Sequence, residues 1–518
     1  MAKANLGKAL FWDEQLSSTG TVSCGTCHMP ETGGADPRSL SSPFSIHPGP
    51  DKIFGTADDV RGSEGVPLHV DDGHYVKDPT FGFHAQVTGR KAQSAIGTGY
   101  SSQLFWDGRA GEVLVDPVSG QVILKSGAAL ESQVLAPPVS DVEMGHLGRT
   151  WTDVIARISN AEVLALSDVI PTELENWIAN RTYPDLFLEA FGTGEIDAGR
   201  IAMAIASYER TLVPNQTPWD LVLAGAPVDL ILTGQEQQGL LAFLDPDTGG
   251  CGNCHNSGIG PERFTDERFH YIGVRPHVDD MGRFDVTGNP ADAGKFRTPS
   301  MRNVELRAPY MHNGGLDSLE DVIEFYNRGG DFDAPNKHFA ITDLNLSVDL
   351  RRSLVAFLGR PMTDPRVAKA LPPFDRPSQF ADSLHVPEVF GEGTPGSAGV
   401  EPQIIAIEAL KVGGGTMTVA IDRGLGGAAA ILLINSSAVP GGVLQQGALL
   451  YPSTLGRRMR VVPALHGVGP GEGWGSLVLP MPENVGLLGT EFFAQWIVID
   501  GGVSGRLAAS PAIRMEWF

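Results

Sequence analysis

All four cysteines of this chain lie in two Cys-x-x-Cys-His pentapeptides, Cys24-Gly-Thr-Cys27-His28 and Cys251-Gly-Asn-Cys254-His255. The spacing suits attachment of a c-type haem. Two thiols add across the vinyl groups of the porphyrin, and the adjacent imidazole ligates the iron. A zinc site also uses Cys-x-x-Cys pairs, but usually closes them within a few tens of residues and needs no histidine directly after each pair. A thioredoxin-like dithiol needs one pair, not two with the same histidine placement. The expected cofactors are therefore two covalently bound haem c groups. Cys24, Cys27, Cys251 and Cys254 are the anchors, and His28 and His255 are the iron ligands. Motifs so far apart place the haems on separate subdomains and make redox chemistry the first hypothesis.

At 518 residues the chain is too long for a single core. Similar segments precede the two motifs: Leu6-Gly-Lys-Ala-Leu-Phe11-Trp12-Asp13 before Cys24, and Gly239-Leu-Leu-Ala-Phe243-Leu-Asp245 before Cys251. Both read as helices delivering the chain to a haem turn, the second started by a Thr233-x-x-Glu236 capping box. Helical periodicity recurs over 151–158, 201–212, 319–326 and 348–358, with Ile201, Ala204, Ile205, Tyr208 and Leu212 on one face. Residues 113–124, broken by Asp116-Pro-Val-Ser-Gly120, predict a β-hairpin insertion. Beyond a Gly/Pro-rich run at 391–399 come short strand candidates at 404–410, 416–421, 430–434, 460–463 and 494–500. The expectation is a mainly α chain. Two cytochrome c-like haem domains, 1–215 and 216–376, are followed by a linker, 377–400, and a small β-sandwich-like domain, 401–518. That last domain has no cysteine and one histidine, His466, so no redox role is expected of it.

Net charge of −23 disfavours nucleic acid and anionic lipid as partners. No apolar run reaches the roughly 18 residues of a membrane span. The opening Met1-Ala-Lys-Ala-Asn-Leu-Gly-Lys has no apolar signal region. Haem attachment of this type nevertheless takes place outside the cytoplasm, so a periplasmic or otherwise exported protein is expected, its signal not visible here.

Residues 1 to about 376 resemble the bacterial dihaem cytochrome c peroxidases and their MauG-type relatives. The resemblance rests on Leu6-Gly-Lys-Ala-Leu-Phe-Trp12, Phe105-Trp-Asp-Gly-Arg109, Glu143-Met-Gly145 and Tyr208-Glu-Arg-Thr-Leu212. Phe264-Thr-Asp266 and Phe269-His270 match less specifically. The most specific stretch is Phe296-Arg-Thr-Pro-Ser-Met-Arg-Asn303 with Ala308-Pro-Tyr-Met-His-Asn-Gly314. The resemblance implies that peroxide reacts at the His28 haem and that the His255 haem stores and relays electrons. It also implies an acid/base glutamate in a Leu-Glu-x-Gln pattern, here Leu130-Glu131-Ser-Gln133, with Trp106 and Arg109 lining the same pocket. An ordinary helix-start carboxylate is the alternative for Glu131, and an Arg–carboxylate loop brace the alternative for Arg109. The tryptophan that the family often places between its haems has no counterpart between Thr88 and Phe105.

The second haem's distal ligand departs from the peroxidase pattern. Where those enzymes generally carry methionine, this chain has Tyr326, as MauG-type enzymes do. A phenolate is a hard anionic donor that should lower the iron potential. The alternative is packing beside Leu319, Val322 and Ile323 on one helical face. His47 reads as a loop residue, and His270 and His312 as packing or propionate contacts. The family also binds calcium between its haem domains, partly through backbone carbonyls of the segment occupied here by Arg307 and Pro309, so calcium is an expectation. The function implied is that of a cytochrome-c peroxidase, reducing hydrogen peroxide to water with electrons from a small cytochrome or copper protein. The alternatives are a MauG-like oxidase acting on a protein or small molecule through high-valent iron, or a non-catalytic electron carrier.

Overall fold

The structure, a computed structural model, describes residues 1–255, 263–413 and 415–518. The Ala2–Trp12 helix buries Leu6, Leu10, Phe11 and Trp12. It packs on the Ala198–Glu209 helix, whose first turn is capped by Asp197. Gly7 stands at that crossing. A Cβ there would lie 1.9 Å from the Ala204 carbonyl oxygen, so the two backbones meet only because the side chain is absent. The second half repeats the device. The Gly234–Leu244 helix, started by the expected Thr233/Glu236 capping box, packs on the Val348–Leu358 helix. Here Gly239 lies at the crossing, and its Cβ would stand 1.9 Å from the Ser353 carbonyl oxygen.

In each half the first of these helices leads into a short helical turn bearing the cysteines, Cys24–Cys27 and Gly252–His255. Each half also has its own apolar core. One is built on Leu6, Phe11, Tyr183, Ile201 and Ile205, the other on Leu240, Phe243, Ile323, Leu354 and Phe357. The helices at Trp151–Asn160, Ala198–Glu209, Leu319–Asn327 and Val348–Leu358 fall where periodicity puts them. The insertion is a hairpin, Leu114–Val115 antiparallel to Val122–Leu124.

From residue 388 onward the regular structure is strand, apart from short 3₁₀ turns. The mainly helical description therefore holds for the haem-motif halves and not for the chain as a whole. A five-stranded antiparallel sheet has the order Arg458–Val462, Ala430–Asn435, Glu491–Ile499, Leu507–Glu516, Glu388–Phe390. A three-stranded sheet of Gly469–Pro480, Thr416–Gly426 and Gln403–Ile405 faces it. Met417, Val419 and Ile421 from one sheet and Leu432, Trp496, Val498 and Ile513 from the other share a single core, the packing of a β-sandwich. The Trp496 indole N–H donates to the Ala420 carbonyl oxygen at 3.0 Å, joining the layers.

Residues 377–400 do not run as a free linker. Residues 388–390 form the edge strand of the larger sheet, and Phe380 is buried with its N–H donating to Glu14 Oε2 at 2.7 Å. Gln379 Nε2 donates to Ser23 Oγ at 2.9 Å and to Thr26 Oγ1 at 2.7 Å, beside the first cysteine pair. The apolar Phe380 and the amide of Gln379 have partners in the first half, which a solvated linker would not offer. The sandwich is seated on a loop of the same half. Tyr75 and Phe83 pack with Ala420 and Trp474, the Tyr75 hydroxyl donates to Glu408 at 2.7 Å, and Lys77 pairs with Asp422.

Candidate functional site: two haem cavities with a common wall

The four cysteines are divided between two cavities. Cys24, Cys27 and His28 line one of about 440 Å³. Cys251, Cys254 and His255 line one of about 910 Å³. This division excludes convergence on a single four-thiolate zinc. Among the described residues one trio of metal-ligand types comes together, Cys254, Asp266 and His270. Within it the His270–Asp266 hydrogen bond of 2.8 Å braces the turn.

The two histidines are prepared in the same way. Nδ1 of His28 lies 3.1 Å from the Gly34 carbonyl oxygen, and Nδ1 of His255 lies 2.9 Å from that of Phe264. A carbonyl only accepts, so each Nδ1 carries the proton and each Nε2 keeps its lone pair. Burial pulls His28 below the ordinary value and His255 down to about 4, which makes both neutral at pH 7. Two neutral imidazoles, each beside a cysteine pair in a roomy cavity, fit haem iron.

Around the first cavity the expected residues separate. Trp106 and Arg109 lie on its wall. Arg109 pairs with Asp107 at 2.8 Å and stacks 3.6 Å over the Phe105 ring. Asp107 also accepts from Arg90, which reaches Asp280 of the other half. Glu131, on the Ala129–Val134 helix, is not brought to the cavity lining. Its carboxylate takes a two-pronged bond from Arg210, at 2.8 and 2.9 Å. The acids on the wall are Glu64, Glu143 and Glu209. Glu209 is buried with Oε2 unpartnered among the described residues. Burial first, then the charge of Glu131, push it up to about 8. Glu143 and Glu209 lie in stretches that carry the family resemblance. Glu209 directly follows the core-facing Tyr208, a placement that could have marked it.

At the second cavity, Tyr326 shares the wall with Leu319, Val322 and Ile323. Its hydroxyl makes no hydrogen bond among the described residues, and burial holds the phenol above its ordinary value. His312 is buried and stacked on Phe296 at 3.7 Å, a packing role. His47 lies off the first cavity's wall and accepts the Gly49 N–H on Nδ1.

Lys91, Ala92, Gln93, Ser94, Thr98 and Trp106 line both cavities. Sequence reasoning singled out only Trp106 among them. Its indole N–H donates to the Lys91 carbonyl oxygen at 2.8 Å, which fixes the ring in the common wall.

Residues 1–227 match the family model described as di-haem cytochrome c peroxidase. The methylamine utilization protein MauG of Methylorubrum extorquens is 29% identical over 358 residues, 69% of this chain and 77% of that protein. The cytochrome-c peroxidase IdrP1 of Denitromonas iodatirespirans is 27% identical, over 70% of this chain and 83% of its own. The cytochrome c551 peroxidase of Pseudomonas aeruginosa is 29% identical, over 61% and 69% respectively. Together with two histidine-bearing cavities that share a wall, these matches make about two thirds of the chain similar to the dihaem cytochrome c peroxidases and MauG proteins, residues 1–227 most specifically.

Proposed function

We propose that this is an exported dihaem c-type peroxidase, reducing hydrogen peroxide to water with electrons from a small cytochrome or copper protein. When bound, the haems supply the iron that reduces peroxide and the store for the second electron. The observation that carries the reading is the pair of cavities divided by one wall, each with a neutral imidazole whose Nδ1–H is already occupied.

The protein's own residues have distinct tasks. Cys24 and Cys27, and Cys251 and Cys254, anchor the two porphyrins, and His28 and His255 offer Nε2. Glu209 holds a proton on the wall of the first cavity and can deliver it where the oxygen–oxygen bond breaks. Glu131, clamped by Arg210, acts through Glu209, its charge raising the affinity of Glu209 for that proton. Arg109 braces the Asp107 loop and Trp106 stands where an electron would cross between cavities. Tyr326 is the candidate distal ligand of the second iron.

A second reading is a MauG-like oxidase of a protein or small molecule. Tyr326 favours it, because a phenolate stabilises oxidised iron. Two measurements decide between them. Sustained turnover of peroxide with a reduced small cytochrome as donor is expected of a peroxidase. Spectra that respond to peroxide without such turnover would transfer support to the oxidase, and no response would remove both. Tyr326→Phe should convert the second haem's ferric low-spin EPR signal to another spin or ligation state. An unaltered signal would exclude ligation.

A further inference from the structure

The calcium expected between the haem domains does not fit the charges found there. Calcium takes six to eight oxygen ligands, carboxylates among them. Pro309 and Arg307 line the second cavity, but the charges gathered at this place are cationic. Lys91 is 5% exposed and lies on the wall common to both cavities. Among the described residues its ammonium has one hydrogen-bond acceptor, the Ala92 carbonyl oxygen at 3.5 Å. The Arg307 stem lies over Gly33 of the first half, so close that a Cβ built there would stand 2.6 Å from Cγ. One guanidinium nitrogen donates to the Ser300 carbonyl oxygen, and Nε has no partner among the described residues. Among the described residues neither cation forms an ion pair. Lys91 and Arg307 both line the second cavity, and burial first, then the charge of Arg307, pull Lys91 down to about 7. Asp36 is the acid that opposes this, and it is held by Arg38 at 2.8 Å.

Burying two uncompensated cations is unfavourable, so an anion belongs with them. Each haem carries two propionate carboxylates. We propose that Lys91 and Arg307 form a fixed cationic bridge between the haem cavities, paired with haem carboxylates, and that it replaces a divalent cation in this chain. The inference rests on the dihaem reading above.

The test uses the full-length protein matured with haem. A pyridine haemochrome assay comes first. Fewer than two haems would count against the dihaem reading itself, and the inference would fall with it. With two haems present, metal analysis after dialysis should find no stoichiometric calcium, and chelation followed by calcium should leave both midpoint potentials and the EPR spectrum unchanged. One tightly held calcium per chain, or spectra that collapse with chelator and recover with calcium, would overturn the proposal. Lys91→Met should shift both midpoint potentials downward, because a positive charge on the common wall favours the reduced iron of each haem. Lys91→Arg should restore them. Potentials unmoved by Lys91→Met, or moved at one haem alone, would refute a shared bridge whatever the metal content.

Discussion

Glu209 has one oxygen without a partner among the described residues, burial that disfavours its charge, and a neighbouring carboxylate that disfavours it further. With its midpoint at about 8, the group stays protonated from the ordinary glutamate range through neutrality and loses its proton as pH rises past that point. Peroxide turnover that draws on this proton should hold across the neutral range and fall in alkali. Glu209→Gln should cut the rate by about 10²–10⁴ and abolish the alkaline limb. A pH–rate profile on both proteins, with haem content matched, checks it. Residue by residue, the two motifs proposed to anchor haem were legible because thioether chemistry demands fixed spacing in the chain. Glu209 and Lys91 were not. What each can do depends on what surrounds it, on Glu131 and on Arg307, groups that folding brings near from distant parts of the chain.

At the level of elements, the two glycine crossings are the feature that most constrains sequence. Gly7 and Gly239 let one helix touch the next backbone to backbone, in front of each haem turn. Gly7→Ala and Gly239→Ala should each destabilise by about 1–3 kcal/mol through overpacking. The first should loosen mainly the Cys24 turn and the second the Cys251 turn. Denaturant melts followed at each haem's own absorbance or EPR signature would report which half yields. The helices around these crossings were legible in outline, the one at 348–358 with both ends, since one apolar face repeats every turn. The Gly469–Pro480 strand was missed because Gly-Pro-Gly-Glu-Gly reads as loop. It stays in the sheet because register shifts near Gly473 absorb those residues. Ala438–Gln445, interrupted by Pro440-Gly-Gly442, was hidden for the same reason.

At the scale of the whole molecule, the sandwich is fastened to the first half, with a buried polar bond at the centre of the contact. The Tyr75 hydroxyl donates to Glu408, whose other oxygen accepts the Thr418 N–H at 3.1 Å. Tyr75→Phe should cost about 1–3 kcal/mol by leaving a buried oxygen unmatched. Calorimetry should show it in the transition of the sandwich, while both haem spectra hold. That the tail is a separate β unit could be read from its alternating short strands. Its mooring could not, because Tyr75 and Glu408 carry no local sign of each other.

The Gln379 amide reaches back to Ser23 and Thr26, the residues that shape the first cysteine turn. Ser23 and Thr26 are separated from that amide by more than 350 positions in the chain. The shape of the first cysteine turn is therefore tied to a segment that follows both helical halves, and a change near residue 379 would be felt beside Cys24.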